Sequence, residues 1–237
     1  MAYERLITPT ANIVDNADYL FNTPHQISAG VCLASSFVME ANLPTSRWLS
    51  TSAGLLMQKG NRRYINISSH GCPDSPEVYH PSPTGRRIGQ ITDRFPVWDL
   101  AFFQLDPSIS FSNEHYFAAP RPSRLISVEE IRVGDWFEVD IYSTGRVDLC
   151  ARGRSYYRPD VPEGIQPIPI QYQDWSIEIA YSLFGTTGAP IKEGICGAPV
   201  VDHMGRVAGM FRWADQSGMW AHTAGLDFFV NSGWSLI

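Results

Sequence analysis

The stretch EGICGAPVVDHMGRVAGMF, Glu193 to Phe211, sets a cysteine between two glycines and follows it with two apolar runs split by a turn. Nucleophilic hydrolysis needs an attacking atom, a base for its proton, a group that orients the base, and amides aimed at the developing oxyanion. This turn can supply the first and the last. Gly194 and Gly197 let the backbone tighten around Cys196, so that the N–H groups of Gly194 and Cys196 can point toward one spot. Pro199 fixes the exit into the following strand. The same turn can also be read as a small core residue in a hairpin, and the stretch alone does not choose. Two further places bear on the choice. RRYINISSHGCP runs an apolar strand into His70 at a turn, and PVWDLAFFQL puts Asp99 at the head of a strongly apolar strand. A carboxylate there can be half buried and still reach an imidazole. Cys72 follows His70 closely but lacks the glycine cradle.

The elements that must position these residues read as β-strands. Short apolar runs separated by turn signals begin at Ile27, with QKGN, STGR and HMGR among the turns. That spacing predicts an all-β protein of antiparallel barrels or a sandwich. Helical periodicity is scarce; GLDFFVNSGWSLI predicts a short C-terminal helix. The polar, proline-rich connection before Arg124 divides the strands into two groups. The expected organisation is therefore a lead-in over 1–26, a first barrel over 27–110 carrying His70 and Asp99, a linker over 111–124, and a second barrel with the helix over 125–237.

Composition narrows the function classes. A hydrophobic fraction of 44% supports a proper core, and a formal charge of -6 argues against a phosphate-binding, nucleic-acid surface. No apolar run is long enough to span a bilayer, and the first residues carry no secretory signal, so a cytoplasmic location is expected. The four cysteines fit neither a disulfide framework nor a zinc site and read as free thiols. No cofactor or metal is expected. The sequon at Asn66 falls inside an apparent strand and is discounted as a glycan site. His80 and His203 read as solvated loop histidines, His222 as a structural strand residue, and Asp93, Asp106 and Asp202 as turn residues.

The order His, Asp, Cys, with the third in a glycine turn, resembles the chymotrypsin-like protease family. SAGLLMQKGNRRYINISSHG is similar to that family's hairpin leading to the catalytic histidine. WDLAFFQL resembles its Asp-Ile-Ala-Leu strand, and GICGAPVVDHMGRVAGMF its Gly-Asp-Ser-Gly-Gly-Pro strand and hairpin. The similarity covers about residues 27 to 237 and implies two antiparallel six-stranded Greek-key barrels. By position it implies His70 as general base, Asp99 as its orienting group, Cys196 as nucleophile, and the Gly194 and Cys196 amides as the oxyanion hole. Phe211, Arg212, Trp213 and Ala214 match the strand whose edge binds substrate backbone. Pro190 falls near the floor of the specificity pocket. Cysteine stands where most relatives carry serine, as in several virus-encoded proteases of this fold. Ile195 replaces the aspartate that in secreted relatives binds a newly freed N-terminus, so no such activation step is expected. Neither the glutamine preference nor the Lys/Arg preference of relatives is supported, because Phe211 and Pro190 occupy the positions that would confer them. The implied activity is an intracellular endopeptidase acting on a protein or peptide substrate. The alternative is a catalytically weak or inactive relative that binds extended peptides in the same cleft.

Overall fold

The computed structural model describes residues 26–38, 47–72, 76–114, 120–141, 145–173, 176–185, 194–215 and 220–237. The first half holds β1 (Gln26–Ser28), β2 (Cys32–Val38), β3 (Arg47–Ser52), β4 (Leu56–Lys59), β5 (Arg62–Ser68), β6 (Glu77–His80), β7 (Arg86–Phe95), β8 (Leu100–Leu105) and β9 (Ser110–Ser112). The second holds β10 (Arg124–Leu125), β11 (Trp136–Ile141), β12 (Gly145–Tyr157), β13 (Ser176–Gly185), β14 (Pro199–Asp202), β15 (Arg206–Ala214) and β16 (Trp220–Gly225). A short helix α1 (Asp227–Asn231) and β17 (Trp234–Leu236) end the chain.

The all-β expectation holds, and one of the two expected barrels closes. In the second half β11, β12, β13, β16, β15 and β14 pair in that order, and β14 pairs back to β11. This is a six-stranded antiparallel ring. The first half is an eight-stranded sheet in the order β17-β4-β5-β8-β7-β6-β2-β3. β3, at one end, and β4, beside β17 at the other, are consecutive in the chain but do not pair. Between them, Ala53 N–H donates to Val31 O and Gly54 N–H to Asn66 O, so the chain turns inward instead of laddering. The C-terminal helix is shorter than its apolar pattern predicts. Gly233, at φ 77°, lets the chain reverse, and β17 then pairs with β4 of the first sheet.

The apolar runs of the sequence are explained by which core each side faces. On β8, Ala101 and Phe103 join the first-half core, while Leu100 and Phe102 join a second cluster between the halves. A strand with apolar cover on both faces loses the polar alternation, and LAFF is the result. β15 divides likewise, with Ala208 and Phe211 in the ring's core and Val207 and Met210 in the cluster between the halves. That middle cluster is rich in aromatic rings, including Trp98, Phe102, Phe229 and Trp234, whose edge and tilted contacts lie 4.4–5.7 Å apart. It fixes the two halves against each other, with Trp98 directly before Asp99.

Three sequence expectations meet a clear outcome here. His80 is not solvated: it ends β6, is buried, and its Nδ1 lies 2.7 Å from Cys32 O. Asn66 is fully buried, so no glycan fits it. All four cysteines are free, and Cys32, Cys72 and Cys150 are buried. Among the described residues, no helix is long and apolar enough to cross a membrane.

Candidate active site

His70 leaves β5 by a turn held on its carboxylate partner. Its backbone N–H donates to Asp99 Oδ1 at 2.9 Å, and its ring Nδ1 lies 2.7 Å from Asp99 Oδ2. Ser69 N–H donates to Asp99 O at 3.0 Å, so successive amides grip one residue. Asp99 follows a 3-10 turn over Pro96–Trp98 and takes φ 54°, ψ 38°. It is the one non-glycine among the described residues with positive φ. Aspartate tolerates this left-handed region better than most side chains, which is how the end of a tight turn can aim a buried carboxylate back at His70. Ser68, missed from the sequence, donates its hydroxyl to the same Oδ2 at 2.8 Å.

Cys196 reaches the site from the second half. Gly194 and Gly197 both take φ 89°, as the glycine cradle requires. A Cβ on Gly197 would lie 2.7 Å from Ser52 O and 2.9 Å from Ser68 N. The first half holds the turn through hydroxyls that sequence reading also missed. Ser52 Oγ donates to Gly194 O at 2.6 Å, and Thr51 Oγ1 to Cys196 O at 2.6 Å. Ser52 N–H adds a bond to Cys196 O at 2.8 Å. Within the second half, Gly197 N–H donates to Phe211 O and Ala198 N–H to Ile195 O. Among the described residues, neither the Gly194 nor the Cys196 amide donates to a backbone acceptor. Ile195 is buried in the ring's core, where a carboxylate would have no place without a partner.

The thiol of Cys196 is partly exposed and donates to Arg212 O at 3.0 Å. Cys196 also acts on the His70 ring, and with Nδ1 turned to Asp99 the nitrogen left to face it is Nε2. Burial by itself would favour neutral imidazole. The interactions with Asp99 and then with Cys196 outweigh it and raise His70 to about 10. Cys72 sits two residues from His70 in the chain yet faces the other way, fully buried with its thiol toward Ser68 O at 3.6 Å. Burial pushes it up to about 12, with the nearby Arg94 charge only partly opposing.

The substrate-edge residues divide. Phe211 does not serve as an edge: its side chain is in the ring's core and its backbone N–H and C=O bond Ala198 and Gly197. Arg212, Trp213 and Ala214 lie beyond the end of β14, with β15 paired to β16 on the other side. Arg212 Nη1 donates to Tyr157 Oη, and Trp213 stacks on His222 at 3.8 Å. Pro190 lies outside the described residues. The excursion after β12 folds back on the turn before Asp99, where Val97 N–H donates to Gln171 Oε1 and Val97 O accepts from Tyr157 Oη. Among the described residues, no group of three or more His, Cys, Asp or Glu side chains could hold a metal ion.

No family model matches the chain, and no curated protein matches it by sequence. Solved structures do resemble it. A glutamic acid-specific serine protease matches at TM-score 0.61 and 12% identity, over 89% of this chain and 100% of that one. Protease A of Thermobifida fusca matches at 0.58 and 11%, over 90% and 98%. A Nocardiopsis protease matches at 0.57 and 14%, over 89% and 98%. The chain therefore shares the chymotrypsin-like protease fold, at identities that speak to fold alone.

Proposed function

We propose that the chain is an endopeptidase that cleaves peptide bonds with Cys196 as nucleophile, His70 as general base and Asp99 as the group that orients it. The observation that supports this reading is the His70–Asp99 contact, with the Cys196 turn of the second half held against the first half by Thr51 and Ser52. His70 Nε2 takes the thiol proton, and sulfur attacks the scissile carbonyl. The Gly194 and Cys196 amides receive the oxyanion, and the imidazolium returns its proton to the departing amine. Water, deprotonated by the same imidazole, then hydrolyses the thioester. An extended peptide is expected along the Arg212–Ala214 edge.

The second reading, a peptide binder without turnover, draws on the bond from Cys196 Sγ to Arg212 O, which holds the thiol against protein in the resting state. Labelling with a thiol-reactive peptide electrophile separates the two. The enzyme reading expects one fast-reacting site, Cys196, lost in both Cys196→Ala and His70→Ala. Comparable slow labelling of all four cysteines would favour the binder.

A further inference from the structure

A third side chain shares the carboxylate–imidazole contact, and the proposed chemistry does not call on it. Ser68 is fully buried at the end of β5. Its Oγ lies 2.8 Å from Asp99 Oδ2 and 2.7 Å from His70 Nδ1, while Nδ1 and Oδ2 are themselves 2.7 Å apart. The three atoms form a closed triangle of hydrogen-bond distances. A hydroxyl carries one proton and two lone pairs. Given to Asp99, that proton leaves a lone pair facing Nδ1, so Nδ1 must carry its hydrogen, shared between Oγ and Oδ2. Nε2 is then the nitrogen whose proton can come and go, on the side of the ring away from Asp99. The strand does not let the hydroxyl drift: Ser68 N–H donates to Thr51 Oγ1, and Ser68 O receives the Cys72 thiol.

We infer that Ser68 is a positioning residue of the site: its hydroxyl locks Asp99 Oδ2 and the Nδ1–H form of His70 together, and so presents Nε2 to the Cys196 thiol. The inference rests on the peptidase reading and adds to it a residue that touches neither substrate nor sulfur. Among the described residues, the titratable groups that act on the ring are Asp99 from the turn before β8 and Cys196 from the second half. Ser68 bonds both the first of these and the ring. A donor to a charged acceptor contributes on the order of tenfold to what depends on it.

The test alkylates the full chain with iodoacetamide, reads the Cys196 rate by mass spectrometry, and follows the His70 Nδ1–H by proton NMR. In Ser68→Ala the Cys196 rate should fall about tenfold and the downfield Nδ1–H resonance should broaden or move. Ser68→Thr, which keeps the hydroxyl, should restore both. In an Asp99→Asn background, Ser68→Ala should change the rate less than about twofold, because the group it acts through is gone. If Ser68→Ala does not fold, Ser68→Cys keeps the volume, weakens the donor and gives the same comparison. An unchanged rate and resonance in the Ala or Cys variant, or Thr as impaired as Ala, would overturn the inference while leaving the peptidase reading intact. A wild-type Cys196 that reacts no faster than free cysteine would remove both.

Discussion

Cys72 and Cys196 make an instructive pair. The first lies two residues from His70 along the chain; the second lies more than a hundred residues away, in the other half. Yet Cys72 is sealed in the first-half core with its thiol pushed up to about 12, and Cys196 is partly exposed on a turn held against the first half by Thr51 and Ser52. Thiolate chemistry needs a nearby cation and a route to solvent. Sequence proximity supplies neither. The glycine turn does, because left-handed glycines on both sides of Cys196 lift it out of the strand that follows, whereas Cys72 continues a turn whose side chains point into packed strands.

The contrast can be broken at several points. The largest effect is expected at the triad itself: Cys196→Ala or His70→Ala should lower peptide hydrolysis by at least about 1,000-fold, while Cys72→Ala leaves it within about twofold. An equal loss from Cys72→Ala, with folding intact, would undo the distinction between the two thiols. Asp99→Asn should cost about 100-fold, less than in a serine enzyme because a thiol needs less help to ionise. Retained wild-type turnover in a steady-state assay would show that the carboxylate does not orient the ring.

Stability and pH sharpen the same comparison. Gly197→Ala puts a Cβ against Ser52 O and Ser68 N at a φ that disfavours any side chain. Denaturant titration should show a loss of about 3 kcal/mol. Ser52→Ala strips one donor from the buried Gly194 carbonyl and should lose about 1 kcal/mol. The ionisation of His70 contributes in a defined window. Its value is raised from 6.5 to about 10, so the folded state binds its proton more tightly than the unfolded state does. That contribution is full below about pH 6.5 and is lost as pH rises through about 10. The difference in unfolding free energy between wild type and His70→Gln should shrink across that interval. A difference that stays flat or grows with pH would contradict the paired imidazolium.

Much of this was legible from residue order. The apolar strands, the glycine turn and the positions of His70, Asp99 and Cys196 all carry local signals, because each sits where a strand meets a turn. What the sequence hid acts over distance. Thr51 and Ser52 hold a turn about 145 residues away, and Asn66 bonds both Leu55 N and Gly197 O. Ordinary polar residues in a strand look alike whether they face solvent or another segment's backbone. The same limit explains His80, whose partner is a carbonyl 48 residues earlier, and Phe211, whose amide and carbonyl are taken by Ala198 and Gly197. Closure of a sheet is hidden for the same reason: nothing in Ala53–Leu55 announces that β3 and β4 turn past each other instead of pairing.

The most direct test is an NMR titration of the His70 ring in wild type and in Cys196→Ala. With carboxylate on one side and sulfur on the other, the ring should hold its proton to about pH 10, and removal of the sulfur should shift its titration toward lower pH. A wild-type ring that titrates near 6.5, or one indifferent to Cys196→Ala, would mean that imidazole and thiol do not meet.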